Sequence, residues 1–188
     1  MSRRASYVIG LDDAPFEPSH RGDVAVIGAV FNGARLEGVI KGKVRRDGAN
    51  ATSNIARLIE RSRFASSLQA VLLQGVTFAG FNVVDLALLS ERLDMPIVAV
   101  CRRRPDLAKI KRALLHSVPG GRRKWRLIER LGHARKHGRV YVQHAGISWD
   151  EAIALVDRFA LNSYLPEPLR TAHLVAGAVA RGESRHRP

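Results

Sequence analysis

Residues 24–46 read VAVIGAVFNGARLEGVIKGKVRR, and this stretch decides the fold. Its first part, residues 24–31, is rich in β-branched side chains and predicts a strand. The dipeptide Asn32-Gly33 predicts a hairpin, because these residue types tolerate the positive φ of tight turns. Residues 35–46 are then the antiparallel partner strand. Parallel neighbours need a long crossover rather than a tight turn, so the stretch argues against a purely parallel, doubly wound sheet.

Apolar runs on both sides of this hairpin predict the rest of the sheet. Residues 7–11, YVIGL, predict a buried strand that completes a three-stranded meander. Residues 68–73 and 96–101 are continuous apolar runs, which are typical of parallel strands covered by helices on both faces. Helical periodicity begins after Asp47-Gly48, with Thr52 or Ser53 as the N-cap, and predicts a helix between the meander and the parallel strands.

The rest of the chain predicts further helices and one more strand. Helices are expected over residues 81–93, 106–117, 124–136, 149–161 and 169–180, with a break at Pro119-Gly120-Gly121 and a strand over 139–144. A meander, then a helix, then helix-linked parallel strands predicts an α/β protein with a ribonuclease-H-like mixed sheet flanked by helices. We expect one domain over residues 1–182 and a polar tail over 183–188.

Composition restricts where the protein works. The 188 residues include one cysteine, Cys101, which cannot form an internal disulfide and indicates a reducing compartment. No segment has the roughly 20 consecutive apolar residues that span a bilayer, and residues 1–10 lack the apolar stretch of a secretory signal. We therefore expect a cytoplasmic protein without a membrane partner.

The net charge of +14 is concentrated in one segment. Residues 102–139 contain fourteen Lys and Arg residues but only two acids, Asp106 and Glu129. Guanidinium groups bind phosphate oxygens in a bidentate manner, so the segment predicts a nucleic-acid partner. The expected contacts are seven basic side chains and one aromatic ring that can stack on a base: Arg102, Arg103, Arg104, Arg122, Arg123, Lys124, Arg126 and Trp125.

Other interpretations of this basic segment remain open. Trp125 can equally face the core. A basic amphipathic helix is also typical of a membrane-surface element. An arginine-rich composition also follows from thermophily or from GC-rich coding, without any binding role.

An acidic pair follows the first predicted strand. Asp12 and Asp13 lie at a strand end, where α/β sheets present ligand groups. Two carboxylates there predict a site for Mg²⁺ or Mn²⁺, and Asp47, in the turn before the first helix, is a candidate third ligand. The alternative is a solvated or turn-capping pair.

Two loops supply further candidate ligand-binding residues. They are RDGANAT at residues 46–52 and QGVTFAGFN at residues 74–82, whose small residues permit close backbone approach to a ligand. The polar side chains concerned are Asn50, Thr52, Gln74, Thr77 and Asn82. Both loops are equally compatible with simple tight connections. His144 and His173 are interpreted as packing residues.

Four separated segments together resemble an uncharacterised archaeal family called domain of unknown function 99. They are LDDAPF at 11–16, RDGANAT at 46–52, GVTFAGFNVVD at 75–85 and PEPLRTAHLVA at 166–176. The fold of that family is similar to endonuclease V, a Mg²⁺-dependent enzyme that cuts nucleic acid near deaminated purines. The resemblance implies that Asp12 is the essential first-strand acid, that Asp47 or Asn50 stands near the first helix, and that Gln74 occupies the place of a central-strand acid.

Three functions are compatible with these observations. Because Gln74 replaces an acid, the first is a nucleic-acid-binding protein of endonuclease V-like fold with an incomplete, weakly metal-binding acidic site. The second is a Mg²⁺- or Mn²⁺-dependent endonuclease in which Asp12, Asp13 and Asp47 are catalytic. The third is an enzyme that acts on a small phosphorylated ligand.

Overall fold

A seven-stranded mixed sheet organises the protein, whose computed structural model describes residues 5–184. The strands are β1 (Tyr7–Asp13), β2 (Asp23–Asn32), β3 (Arg35–Arg45), β4 (Ala70–Gln74), β5 (Thr77–Phe78), β6 (Asn82–Val83), β7 (Ile97–Cys101), β8 (Arg135–His137) and β9 (Val140–Ala145). The helices are α1 (Ala51–Glu60), α2 (Leu86–Leu93), α3 (Leu107–Ser117), α4 (Gly121–Leu131), α5 (Trp149–Phe159) and α6 (Glu167–Arg181).

The strand order confirms the predicted meander and parallel pair. The sheet runs β3-β2-β1-β4-β7-β9-β8, with β1 antiparallel to β2 and parallel to β4, and β4 parallel to β7. The hairpin turn consists of Gly33 and Ala34, and Gly33 supplies the one positive φ, +58°. A tight turn of this type matches the twist of the strands that it joins.

Alternation along the central strands places two cores on the two faces of the sheet. Ile9, Leu11 and Leu73 pack on the side of α1 and α2, whereas Val8 and Leu72 pack on the side of α5 and α6. Among residues 5–184, every helix is too short or too polar to traverse a lipid bilayer.

Two predicted helices have different bounds. The helix expected over 81–93 begins only at Leu86, with Asp85 as its cap, because residues 77–83 form the separate β5–β6 ribbon. The basic helix expected over 124–136 is α4, which stops before Gly132, a residue with φ +76°. The residues that follow it form β8.

The cap of α1 was also predicted wrongly. Thr52 and Ser53 lie inside the helix, and Asn50 occupies the cap position without a side-chain cap bond. The Ala51 N–H donates instead to Oδ1 of Asn82, which is distant in sequence. The polar tail stays a prediction from Glu183 onward, since its residues 185–188 lie outside the described residues, as do residues 1–4 at the other end. The single-domain boundary at 182 likewise stays a prediction.

The two edges of the sheet differ in length. The edge strand β3 has 11 residues, most of them exposed or half-buried. The opposite edge is the three-residue β8, whose Arg135 and Lys136 are exposed.

Helix α6 lies directly on β1 at Gly10. A Cβ atom at this position would be 2.4 Å from the carbonyl carbon of Pro168 and 2.6 Å from the amide nitrogen of Leu169. These are backbone atoms of α6, so they cannot rotate away. Only glycine permits this approach of helix and strand.

Gly10→Ala is therefore expected to destabilise the protein by about 1–3 kcal/mol, because the added methyl group overpacks a backbone contact. The matched control is Gly177→Ala in the same helix, where the nearest atom to a new Cβ is 3.5 Å away. Alanine there should be neutral or stabilising by up to about 1 kcal/mol. Urea unfolding of both variants measures the difference, and equal midpoints would contradict the close packing of α6 on β1.

Candidate functional site

Asp12 is a buried carboxylate at the carboxyl end of β1. It is 6% exposed, and its Oδ2 lies 2.7 Å from Nδ1 of His173 on α6. Burial raises the pKa of Asp12, and the hydrogen bond and positive charge of His173 oppose that rise. The pair therefore combines a buried carboxylate with a half-buried imidazole at the end of β1.

His173 is the site residue that sequence reasoning missed. It was interpreted as a packing residue, and 161 positions separate it from Asp12. No local pattern reports such a contact. The available signal was its position inside PEPLRTAHLVA, one of the segments that carry the family resemblance.

Asp13 points to the opposite face of the sheet, since successive strand residues alternate. Its Oδ2 accepts a hydrogen bond of 3.0 Å from the N–H of Ala79. Burial, followed by the nearby charge of Asp12, raises the pKa of Asp13 to about 7. The acidic pair therefore exists, but its two members reach different elements.

Gln74 stands beside Asp12 on the neighbouring strand. It comes one residue after the Leu11–Leu73 pair of the parallel β1–β4 ladder. Within residues 5–184, its Oε1 is buried and has no hydrogen-bond partner. A buried acceptor left unpaired costs stability, so this oxygen is a candidate acceptor for a ligand.

A cavity of about 310 Å³ opens next to Gln74. Of the predicted residues, Gln74, Thr77, Arg103 and Arg104 line it, and their role in binding stays a prediction. The thiol of Cys101 lines it too, and burial raises the pKa of that thiol. Apolar side chains complete the lining: Leu107, Ile110 and Ile128. Such a mixture of apolar surface and a few polar groups is typical of a small-ligand site.

Asp47 does not join the acidic pair in a metal cluster. It adopts φ +49°, its Oδ1 accepts a 2.9 Å hydrogen bond from the N–H of Phe81, and its Oδ2 lies 3.2 Å from Nε of Arg46. Within residues 5–184, no three Asp, Glu, His or Cys side chains are grouped to hold a metal ion. The predicted three-carboxylate centre is therefore not formed, because the Asp47 carboxylate fixes the loop before β6.

Three of the loop residues predicted to bind a ligand make hydrogen bonds within the protein. Oδ1 of Asn50 accepts from the N–H of Arg45 and from Nδ2 of Asn82. Asn82 is fully buried, and Oγ1 of Thr52 accepts a 3.0 Å bond from the N–H of Asp85. These side chains join the turn before α1 to the β5–β6 ribbon and to the start of α2, and their role as ligand contacts stays a prediction.

The predicted basic contacts divide into two groups. Arg102, Arg103 and Arg104 follow β7 at the rim of the site, and the charge of Arg102 acts on Asp12. The other group lies on α4, where Arg122, Arg123 and Arg126 are exposed.

Lys124 and Trp125 are less exposed than the other nucleic-acid contacts predicted on α4. Lys124 is 4% exposed, and its Nζ donates to the backbone oxygen of Asp47. Burial lowers the pKa of Lys124, against the charge of Asp47. Trp125 packs on a small core of Val83, Leu114 and Ile128, and its ring lies 5.1 Å from Nζ of Lys111. Lys124 is therefore not presented to a nucleic acid, whereas Trp125 is half-buried and its contact with a base stays a prediction.

Comparison with known proteins identifies close relatives. A family model described as Endonuclease dU matches residues 4–180. A UPF0215 protein of Deinococcus radiodurans is 52% identical over 181 residues, which cover 96% of this chain and 92% of that protein. A solved structure of a protein of unknown function from Archaeoglobus fulgidus is 31% identical, with a TM-score of 0.85 over 92% of this chain and 97% of its own. Relatives occur in bacteria as well as archaea, so the archaeal expectation was too narrow.

Endonuclease V is a more distant structural neighbour. The enzyme of Ciona intestinalis, solved in complex with a 24mer DNA containing an inosine followed by a ribo-adenosine, has a TM-score of 0.57 at 13% identity. The match covers 90% of this chain and 83% of that one. The likeness confirms the predicted ribonuclease-H-like, endonuclease V-like fold.

The raised pKa of Asp13 predicts that stability falls with rising pH. Between about pH 4 and about pH 7 the folded protein keeps a proton on Asp13 that the unfolded chain has lost. Unfolding then releases a proton, so a higher pH favours the unfolded state. Asp13→Asn removes the charge and can still accept the bond from Ala79. In EDTA the stability of this variant relative to wild type should increase across this range by roughly 4 kcal/mol and then stay constant.

Denaturant unfolding at a series of pH values measures this margin. The exposed acid Asp150 provides the control, since Asp150→Asn removes the same charge without a buried site. A margin for Asp13→Asn that is independent of pH would contradict the burial of its carboxylate.

Lys124→Met is expected to cost about 1–3 kcal/mol, because it leaves the backbone oxygen of Asp47 without a donor. Its neighbour Arg123 is exposed, so Arg123→Met should change stability by no more than about 0.5 kcal/mol. Thermal unfolding compares the two. Equal melting temperatures would show that the Lys124 bond adds nothing.

Proposed function

The chain belongs to the endonuclease dU family. From that premise we propose that it is a divalent-metal-dependent endonuclease that cuts DNA at a deaminated base, with deoxyuridine as the preferred substrate. The observation that carries the proposal is the meeting of Asp12, His173 and the unpaired Gln74 oxygen at one end of the parallel strands. Ligands of α/β sheets bind at this end.

The donor set fits Mg²⁺ or Mn²⁺. Asp12 supplies a carboxylate from the end of β1, and Mg²⁺ in phosphoryl-transfer sites is held by one or two carboxylates together with waters and substrate phosphates. The absence of a third grouped acid among the described residues is compatible with that coordination. When bound, the ion supplies a polarised phosphate and an activated water.

His173 has a positioning role in this proposal. Its Nδ1 holds Oδ2 of Asp12 at 2.7 Å, so the other carboxylate oxygen keeps a fixed direction. A histidine that orients a carboxylate ligand typically affects metal affinity or activity 10- to 100-fold, as second partners of metal ligands do. Arg102 adds positive charge beside the same carboxylate.

The cavity next to Gln74 is the proposed base pocket. Uracil and hypoxanthine both carry a ring N–H beside a carbonyl, whereas cytosine and adenine carry a bare ring nitrogen beside an amino group. With the amide held in one orientation, Oε1 of Gln74 accepts from the ring N–H and Nε2 donates to the adjoining carbonyl. A parent base would place a bare nitrogen opposite Oε1 and an amino group opposite Nε2. The side chain that replaces a catalytic acid would thus distinguish deaminated bases from their parents. Enzymes of this kind take the base out of the stack to read it.

Binding without catalysis is the second candidate function. The observation in its favour is that the Asp47 carboxylate accepts a hydrogen bond from the N–H of Phe81. The candidate site therefore has two carboxylates at the end of β1 and no third one grouped with them among the described residues. Cleavage assays separate the two candidates.

We expect purified protein with Mn²⁺ or Mg²⁺ to cut oligonucleotides that contain deoxyuridine, and Asp12→Asn to lower the rate at least about 100-fold. Asp150→Asn, on the exposed side of α5, should leave the rate unchanged. Wild-type protein that binds these DNAs but never cuts them would establish the binding-only function. Cleavage that survives in Asp12→Asn would exclude this site as its source.

Gln74→Leu tests the pocket separately. Discrimination between deoxyuridine and cytidine should fall roughly 10-fold or more, because a hydrogen-bonded base contact is worth about 1–3 kcal/mol. Folding stability should not fall, since the unpaired oxygen is removed. If a stably folded Gln74→Leu variant discriminated between the two bases as well as wild type does, Gln74 would not be the residue that recognises the base.

A further inference from the structure

Helices α3 and α4 form a helical hairpin beside the candidate site. Residues 118–120 connect them, and α4 begins at Gly121, where a Cβ atom would lie 1.7 Å from the backbone oxygen of Leu114. The two helices therefore meet through backbone contact, which fixes their relative position.

The hairpin is attached to the loops that carry the site. Its own small core consists of Leu114 and Ile128 together with Val83 of β6. Lys124 adds the bond to the Asp47 backbone. The hairpin follows β7 directly along the chain, so it begins at the strand end where Asp12 and Gln74 lie.

The outer surface of the hairpin carries positive charge without balancing acids. Its exposed basic side chains are Lys109, Lys111, Arg112, Arg122, Arg123, Arg126 and Arg130. The acids in this segment are Asp106, which caps α3 through the N–H of Lys109, and Glu129, which accepts from Nε1 of Trp125. Among the ion pairs found within residues 5–184, none includes a basic residue of the hairpin.

Arginines elsewhere in the protein are used differently. Several of them form ion pairs with a nearby acid. The pairs are Arg35 with Glu37, Arg92 with Glu60 in a bidentate arrangement, and Arg170 with Glu167. Cations outside any ion pair found in the described part of the chain, such as Arg61 and Arg158, also occur elsewhere, but the hairpin carries seven exposed ones on two consecutive helices.

This arrangement opposes the stability of α4. Arg122, Arg126 and Arg130 are spaced four residues apart on one stripe, where like charges repel. A polyanion lying along the stripe would remove the repulsion. Guanidinium forks match phosphate oxygens better than they match most other anions.

We propose that the α3–α4 hairpin is a sequence-independent clamp for the sugar-phosphate backbone of DNA, which holds the duplex across the candidate site. The choice of DNA as the polyanion rests on the proposed function. The clamp itself requires neither a damaged base nor a metal ion. Its contribution should therefore appear in the binding of undamaged duplex in EDTA.

The test compares two variants with the same change in net charge. The hairpin variant carries Arg122→Gln, Arg123→Gln, Arg126→Gln and Arg130→Gln. The control carries Arg57→Gln, Arg61→Gln, Arg63→Gln and Arg158→Gln, at exposed positions on α1, on the segment that follows it and on α5. Fluorescence anisotropy with a labelled undamaged duplex, over a series of KCl concentrations, gives the affinity and its salt dependence.

We expect the hairpin variant to lose about 10- to 100-fold in affinity at low salt. The slope of log K against log salt should become shallower by about 3, because each lost phosphate contact contributes about 0.9. The control should change the slope by less than about 1. The melting temperature of the hairpin variant should equal or exceed that of wild type, because the repulsion along α4 is relieved.

Equal losses in the two variants would overturn the clamp, since they would show that net charge alone matters. Unchanged DNA binding in the hairpin variant would also overturn it. If the hairpin variant lost affinity only for vesicles of phosphatidylglycerol, measured in parallel, the hairpin would bind a membrane surface instead of DNA. The outcome is independent of catalysis. A wild-type protein that never cuts deoxyuridine DNA but depends on the hairpin for binding would refute the proposed function and leave the clamp standing.

Discussion

The contact of the α6 backbone with Gly10 of β1 is the constraint on which the candidate site depends. Asp12 lies two residues beyond Gly10 on the strand, and His173 lies one helical turn beyond Leu169 on the helix. The same contact that closes the core therefore sets the distance between the carboxylate and the imidazole. A hydrogen bond of 2.7 Å does not survive a displacement of the helix by the size of a methyl group. Fold and site are in this way fixed by one glycine.

A series of hydrogen bonds, most of them between a side chain and the backbone, links the basic hairpin to the acidic pair. Lys124 donates to the backbone of Asp47, and Asp47 accepts from the N–H of Phe81. The N–H of Asp47 donates to the oxygen of Ala79, whose own N–H donates to Asp13. The turn before α1, the loop before β6 and helix α4 are thus held as one unit around the strand end. Residues that the sequence offered as ligands, Asp47 and Lys124, maintain this unit.

Local patterns were sufficient to predict the sheet, because strands and tight turns are encoded by neighbouring residues. The β-branched residues and the Asn32-Gly33 turn within residues 24–46, and the apolar runs of β4 and β7, depend on no distant partner. The placement of Asp12 and Gln74 followed from that topology. Other site features depended on contacts between remote segments. His173 needed the return of α6 to β1, and Asn82 needed the cap position of α1, so neither role could be read from its own surroundings.

Helix bounds failed for a related reason. The apolar content of residues 81–85 suits a helix, but Asn82 is fixed by side-chain bonds to the turn before α1 and so belongs to the ribbon. Lys124 lies on the same face of α4 as the buried Ile128, but lysine is a residue type that usually reaches solvent. Its burial arises only because α4 packs over Asp47.

The basic edges of the sheet have a consequence for behaviour in a crowded cell. An uncovered edge strand offers free N–H and C=O groups to any strand that approaches, which is how β-aggregation begins. Here the long edge β3 carries Lys41 and Lys43, and the short edge β8 carries Arg135 and Lys136. Two copies that met edge to edge would bring these cations together, and the repulsion would discourage a shared ladder. Charge that suits a polyanion therefore also keeps the copies of this chain apart.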